Sequence, residues 1–406
     1  MPATMRTVVV TSAVPDRSSS GYDIRVAHLT AALPGERHLV VTSILDRPEG
    51  GVVTPELLGV FDSVMVLPPV LGGPLSLRRH LRRSDEQFLE LAAPDRFAAS
   101  AGALAARACE VDATHVVAFG GNVAPFAAAA GLGPRTVVDV CDSVTLTLSR
   151  AGARSAGERL ALLRARREEA ALVRGFPAVT AIGAPDAEQL RALVGGTADH
   201  VTVVPNGVGE VFTGPLPVPG DRRGVAFWGN LDFAPNRTAL QFYLDDVHDP
   251  FLRDAGVELF VVGSGAPEWL TARAARPGSG IRLAGRVEDL VEAVVPYPVM
   301  VNPMRTGSGL KNKVLEAFGA GLVVVSTPRG VDAFPEVRER DHLITASDGP
   351  AFATAVTSLL DDAALRAHIR LSANALLHEN YRWDSVGRNW AEVVLRHSGA
   401  AAENGK

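Results

Sequence analysis

Apolar residues in this chain cluster into short, nearly continuous runs separated by longer amphipathic stretches. In the first half the runs are RTVVVTSA (6–13), RHLVVTSI (37–44), SVMVL (63–67), THVVAF (114–119), RTVVDV (135–140), AVTAIG (178–183) and VTVVP (201–205). In the second half they are GVAFWG (224–229), ELFVVG (258–263), IRLAG (281–285), VMVNP (299–303) and LVVVS (322–326). Runs this short, rich in branched residues and lacking polar alternation, predict strands buried on both faces. The stretches between them, such as YDIRVAHLTAAL (22–33), SAGERLALLRARREEAALVRG (155–175) and DAEQLRALV (186–194), predict helices. Strand and helix in alternation imply a parallel sheet with crossover helices. The series runs twice, which predicts an α/β chain of two doubly wound, Rossmann-like domains. The Pro- and Gly-rich stretch VGEVFTGPLPVPGDRRG (208–224) is the expected linker.

Composition narrows the class. The 406 residues carry 40 Lys and Arg against 45 Asp and Glu, a net charge of -5. No basic excess points to nucleic acid as a partner. Two cysteines, Cys109 and Cys141, suit a reducing compartment, and the ten histidines show no metal-ligand spacing. The start, MPATMRTVVVTSAVPD, has too short an apolar run for a signal peptide, and HVVAFGGNVAPFAAAAGLG is broken by Asn122 and Pro125. A cytoplasmic protein is expected. The basic cluster LSLRRHLRRSDEQF (75–88) reads as a solvated face, with contact to an anionic acceptor or a membrane surface as the alternative.

Ligands of open parallel sheets bind beyond the carboxyl ends of the strands, so two such domains predict a cleft with its chemistry just after strands. The stretch MRTGSGLKNKVLEAFGAG (304–321) sits there. Gly307 and Gly309 let the backbone approach a ligand and adopt positive φ. The helix expected to begin near Gly309 presents free N–H groups and a dipole that favour a phosphate. Ser308 is a candidate cap, and Arg305 and Lys313 bring positive charge. Glu316 lies eight residues beyond Ser308, roughly 12 Å at helical rise, and a carboxylate there suits two ribose hydroxyls. The competing reading is a packing helix with a surface Lys313–Glu316 ion pair.

The segment PMRTGSGLKNKVLEAFGAGLVVVSTPRGVDAF resembles the donor-binding motif of family-4 retaining GT-B glycosyltransferases, in the branch with a Gly-rich loop and Lys-x-x-Glu-Ala on the helix. The resemblance implies that Gly307, Ser308, Gly309 and Lys313 hold the donor diphosphate, with Arg305 beside it and Glu316 on the ribose. Many members have a second Glu where this chain has Ser308, which leaves the donor sugar open. VVPNGVGEVF resembles the family's entry into the second domain, and VAFWGNLDFAPNRTALQFYLDDV the strand, loop and helix that follow. There Gly229, Asn230 and Arg237 are the implied donor contacts; Asn236 as a helix cap beside a solvated Arg237 is the alternative. LFVVGSGAPEWL supplies Gly263 and Gly265, and IRLAGRVEDL supplies Arg286 and Val287 at the loop that reads the base; a plain turn is the alternative for each.

In the first domain, VPDRSSSGYDIRVAHLTAAL resembles the family's Gly-rich loop and early helix. It implies Ser20 and Gly21 on the acceptor side, with Arg25 supporting the loop or meeting a phosphate, or else an ordinary helix-face charge. VVDVCDSVTL matches a corner where many members carry a His; here Asp142 is the charged candidate, beside Cys141, with Asp139 capping or bracing the turn. Glu168 and Glu169 fall where the family often has a cleft Glu, although such charge runs usually form a solvated face. YRWDSVGRNW resembles the terminal helix that crosses back to the first domain in GT-B folds. The implied organisation is an acceptor-binding domain over 1–205, a donor-binding domain over 206–380 and a returning helix over 381–406.

The implied activity is transfer of a sugar from a nucleoside-diphosphate sugar, uridine being the favoured base and guanosine next, to an acceptor hydroxyl with retention. No metal, no further cofactor and no protein nucleophile are expected; Lys313, Arg305 and Asp142 are the implied catalytic set. Acceptors of small-molecule, glycolipid and glycan type stay open, as does the oligomeric state. Two other readings also remain: a GT-B sugar-nucleotide epimerase, and a nucleotide-sugar-binding pseudoenzyme that serves as a partner subunit.

Overall fold

The computed structural model describes residues 5–15, 21–44, 59–71, 85–196 and 198–397. Seven strands form the first sheet: β1 (Arg6–Thr11), β2 (Glu36–Val41), β3 (Ser63–Val66), β4 (His115–Phe119), β5 (Thr136–Cys141), β6 (Ala178–Ala181) and β7 (Val201–Val203). Six form the second: β8 (Gly224–Trp228), β9 (Glu258–Val262), β10 (Ile281–Gly285), β11 (Val299–Asn302), β12 (Val323–Ser326) and β13 (Ile344–Thr345). The orders are β3-β2-β1-β4-β5-β6-β7 and β10-β9-β8-β11-β12-β13, with parallel pairing throughout. Each order reverses once, between β1 and β4 and between β8 and β11, so each sheet has a topological switch point at its carboxyl edge. Two doubly wound α/β domains are what the strand–helix alternation predicts.

The chain divides into two units. The first runs through Asn206 and takes in the helix Trp383–Arg396; the second is Gly207–Arg382. In the first sheet, alternate residues serve opposite faces: Val8 and Val10 pack with Val116, Ala118 and Val138, while Val9 packs with Val117, Phe119 and Val137. The second of those faces is covered in part by Trp383, Val386, Trp390 and Val394 of the terminal helix. Trp390 is fully buried with its ring 5.8 Å from that of Phe119, and Trp383 stacks on His28 at 4.5 Å. A Cβ at Gly387 would stand 2.6 Å from the Ala32 Cβ, so a glycine lets the terminal helix settle close to the Gly21–Ala31 helix.

The structure corrects the linker. Phe212 packs so closely on Gly319 that a Cβ there would meet the Phe212 carbonyl oxygen at 2.3 Å, and the Gly220 N–H donates to the Val295 carbonyl at 2.7 Å. The stretch 208–224 is therefore fastened along the second unit, and its prolines and glycines serve close packing. The strand β13 was not expected, being two residues long. Of the basic cluster 75–88, residues 75–84 lie outside the described residues, as does Ser20; 85–88 open the helix Asp85–Ala92.

Candidate functional site

In the second unit β11 ends at Asn302, and the helix that follows, Asn312–Gly319, begins three residues later than expected. Its N-cap is Lys311 and no side chain caps it, so Ser308 is a loop residue and not the cap. The rise from Ser308 to Glu316 is for the same reason not a helical one. Gly307 and Gly309 adopt φ of 94° and 70°, in the left-handed region that glycine reaches without strain. Lys311 folds back on the loop: its Nζ donates to the Ser308 carbonyl and, at 2.9 Å, to the Gly309 carbonyl. Sequence reasoning passed over this lysine, which fixes the shape of the glycine turn.

Lys313 and Glu316 share one face of that helix. The Lys313 Nζ donates to Asn236 Oδ1 at 2.7 Å and lies 4.3 Å from the centre of the Phe227 ring. Desolvation pulls its ammonium down to about 7, with Lys311 adding repulsion and Glu316 opposing both. Glu316 accepts from the Trp228 indole N–H at 2.6 Å, yet desolvation still raises its carboxyl above the usual range. Burial thus pushes both the cation and the carboxylate toward their neutral forms, a pattern shared by ligand sites and buried structural pairs.

Two glycine turns let β8 and β9 meet this helix. Gly229 has φ 145°, and a Cβ there would stand 2.9 Å from Asn236 Nδ2 and 3.3 Å from Lys313 Nζ. Gly263 has φ 148°, and a Cβ on it would strike the Gly229 carbonyl oxygen at 2.0 Å. A Cβ at Gly265 would strike the Asp232 carboxylate. Asn236 is buried; its Nδ2 donates to the Asn230 carbonyl at 2.7 Å while its Oδ1 receives Lys313. Asn236 is therefore not the cap of Ala234–Phe242, whose N-cap is Phe233. It couples the Asn230 turn to the lysine. Asn230 Oδ1 in turn accepts from the Asp232 N–H at 2.8 Å.

The remaining predicted donor residues are more peripheral. Arg305 is exposed, its guanidinium 4.7 Å over the Phe242 ring. It also lines a cavity of about 450 Å³ with Thr327, Arg329 and Ser347, beyond the ends of β11 and β12. Arg237 is half-buried on the Ala234–Phe242 helix. Arg286 is exposed and Val287 half-buried in the turn after β10. That turn is tied to β9 by the Gly263 N–H, which donates to the Gly285 carbonyl at 2.8 Å. Trp228, Asn236 and Phe227 were not singled out as site residues from sequence. An aromatic pair closing a strand immediately before glycine was the available signal.

In the first unit Gly21 opens the helix Gly21–Ala31. Arg25 on that helix is fully buried, which rules out both a phosphate contact and an ordinary helix-face charge. Its Nε and Nη2 donate to the Asp139 carboxylate at 2.8 and 2.7 Å, and its Nη1 reaches Asn206 Oδ1 at 3.1 Å and the Pro205 carbonyl at 3.2 Å. Thr180 Oγ1 donates to the same carboxylate at 2.6 Å. Burial works against the guanidinium charge, but Asp139 more than restores it. The pair braces the end of β5. There Cys141 has φ 61°, and the pairing of β5 with β6 shifts register between Asp139 and Cys141. Such a bulge re-aims the residue after it, here the exposed Asp142. Glu169 is buried, not part of a solvated face: it accepts from Ser143 Oγ at 2.9 Å and from the Val144 and Thr145 N–H groups at 2.6 and 3.3 Å. It thereby caps the helix Val144–Ala151. Glu168 is half-buried and pairs with Arg164 at 2.9 Å.

Residues 222–362 match the family described as Glycosyl transferases group 1. This segment lies wholly in the second unit and contains every predicted donor residue. The phosphatidyl-myo-inositol mannosyltransferase of Mycobacterium leprae (strain TN) is 30% identical over 211 residues, which are 50% of this chain and 54% of that protein. The chain thus spans about half the length of that curated relative. Among solved structures, sucrose-phosphate synthase from Thermosynechococcus elongatus aligns with a TM-score of 0.68 at 14% identity over 98% of this chain and 100% of that one. Anabaena Alr3699/HepE in complex with UDP aligns with a TM-score of 0.67 at 14% identity over 97% and 100%. The two parallel-sheet domains and these neighbours give the fold as GT-B. Among the described residues no helix is long and apolar enough to cross a membrane.

Proposed function

We propose that the chain is a glycosyltransferase that moves a sugar from a nucleoside-diphosphate sugar to an acceptor hydroxyl, with retention and without a metal. The observation that carries the reading is Lys313. Its ammonium is held by Asn236 and the Phe227 ring behind a glycine loop, with its pKa pulled down to about 7. Delivery of a diphosphate to that position restores the full charge and yields a charge-assisted hydrogen bond. Glu316, fixed by Trp228, is the ribose partner. A relative solved with UDP supports uridine as the base. The mannosyltransferase likeness supports a glycan or glycolipid acceptor, and with it peripheral contact with a membrane.

In the proposed reaction the bond from the sugar anomeric carbon to the diphosphate oxygen breaks, and its electron pair stays on the phosphate. Lys313, Arg305 and the loop N–H groups meet that charge as fixed donors, so little reorganisation accompanies the step. The acceptor oxygen bonds to the same face of the anomeric carbon, and its proton passes to the leaving phosphate. No protein nucleophile takes part. The test is incubation of the protein with UDP-sugars, with and without candidate acceptors, read by mass spectrometry. Release of UDP and a product heavier by one glycosyl unit, both dependent on the acceptor, is expected. Isomerisation of the donor alone would favour the epimerase. Binding of donor with no conversion under any acceptor would favour the pseudoenzyme.

A further inference from the structure

Lys311 stands between the glycine turn and the helix that carries Lys313, and it turns its charge inward. It is the N-cap of Asn312–Gly319, yet its side chain reaches back along the chain. The Nζ donates to the Ser308 carbonyl and, at 2.9 Å, to the Gly309 carbonyl. The turn makes room for it: a Cβ on Gly307, at φ 94°, would stand 3.8 Å from the same nitrogen.

That grip fixes what the rest of the turn presents. In a planar trans peptide the C=O and the N–H of the next residue point in opposite directions. An ammonium that draws in the Ser308 and Gly309 carbonyls therefore turns the Gly309 and Leu310 N–H groups to the other side, next to each other. Gly309, at φ 70°, supplies the left-handed residue that such an arrangement uses. Neither N–H donates to a protein group among the described residues, although the Leu310 side chain is buried. Two successive backbone N–H groups facing one way make a concave anion site. The carbonyls that would repel an anion there are held back on a cation.

Lys311 also bears on Lys313. The charged groups acting on the Lys313 ammonium are Lys311, which opposes its proton, and Glu316, which favours it. The groups that meet it from the neighbouring elements, Asn236 and Phe227, are uncharged.

We propose that Lys311 is a positioning residue of the donor site. It stays on the Ser308 and Gly309 carbonyls while the Gly309 and Leu310 N–H groups take the terminal phosphate of a nucleoside diphosphate. It acts through the loop and not by touching the ligand, and so keeps the two N–H groups aimed before the donor arrives. The assignment rests on the donor reading of this loop.

A crystal structure of the UDP complex tests it directly. Lys311 Nζ is expected within hydrogen-bond distance of both carbonyls, with phosphate oxygens on the Gly309 and Leu310 N–H groups. Lys311 on the phosphate, or a phosphate away from both N–H groups, overturns the proposal. Calorimetric titrations of UDP and GDP into the wild type, Lys311→Met and Lys311→Arg, each followed from pH 6 to 9, supply the second test. Lys311→Met is expected to weaken the nucleotide that binds by about tenfold to a hundredfold at pH 6. Lys311→Arg, whose guanidinium can also donate to two carbonyls, is expected to keep most of the affinity. Lys313 loses its proton near 7 in the wild type, and removal of the neighbouring positive charge raises that point. The fall of affinity with rising pH therefore begins at a higher pH in Lys311→Met and stays at the wild-type position in Lys311→Arg, a change that a purely structural lysine would not produce. Unchanged affinity in Lys311→Met, or a pH profile that does not move, overturns this proposal and leaves the donor reading standing. A wild type that binds neither nucleotide overturns both.

Discussion

Each unit pairs a cation with a carboxylate near the carboxyl edge of its sheet, and the two pairs are built in opposite ways. In the first unit Arg25 and Asp139 are both 0% exposed, and the guanidinium spends its donors on Asp139, Asn206 and Pro205. Fully buried, the guanidinium offers no face to a ligand, and the surroundings hold the arginine firmly charged. In the second unit Lys313 and Glu316 are half-buried, each is tied to a neutral partner, and each is displaced toward its uncharged form. The first pair is saturated and holds the structure together. In the proposed function the second is poised, since a diphosphate beside Lys313 and a diol beside Glu316 would supply what the protein withholds. Buried charge alone therefore does not mark a site; the direction of the pKa shift and the chemistry of the partner separate the two cases.

The largest expected break in that contrast comes from Arg25→Met. It strands Asp139 in the core and is expected to cost about 3–5 kcal/mol of stability, seen as a lower urea midpoint for the first unit. Adding Asp139→Leu is expected to return most of the loss, since a matched apolar pair avoids desolvation; no recovery would show that Asn206 and Thr180 carry the bracing instead.

Gly229→Ala ranks next. Its Cβ would press on Asn236 and Lys313 at a φ of 145°, so strain of about 1–3 kcal/mol and weaker UDP binding are expected together. Calorimetry and thermal melting on the same sample check both halves.

A pH series sharpens the contrast further. Free Lys313 loses its proton near 7, whereas a bound diphosphate requires the ammonium, so binding takes up a proton above that pH. UDP affinity is then expected to fall as pH rises from about 7 to 9, by at most about tenfold per unit, and to lose this dependence in Lys313→Ala. A flat profile in the wild type would argue that the lysine stays charged throughout. The smallest effect is assigned to Arg237→Ala. The residue is half-buried at the side of the site, and a loss below about 1 kcal/mol in UDP binding is expected.

The comparison also shows what the sequence could carry. Strand–helix alternation is a property of local composition, so both parallel sheets and the glycine loop at 304–311 were legible. Burial of Arg25 was not. Its partner Asp139 is distant in sequence, and nothing local separates a bracing arginine from a phosphate-binding one. Glu169 escaped for the same reason: in the run RREE one glutamate caps the helix Val144–Ala151 and its neighbour pairs with Arg164. The start of Asn312–Gly319 was misplaced because Lys311, reaching back to the Ser308 and Gly309 carbonyls, extends the loop where propensity alone would begin the helix. Residues 208–224 read as a linker because Pro and Gly mark both linkers and tight packing, and only the contacts with Gly319 and Pro296 distinguish them.

The most direct test of the central claim is a calorimetric titration of UDP into the wild type and Lys313→Ala, with melting temperatures recorded for both. The account predicts binding in the wild type, a loss of about 2–3 kcal/mol of binding free energy in the variant, and a melting temperature equal to or above the wild type, since a desolvated cation is removed. Unchanged UDP affinity in a folded Lys313→Ala protein would contradict it and leave the Lys313–Glu316 helix a packing element with a charged face.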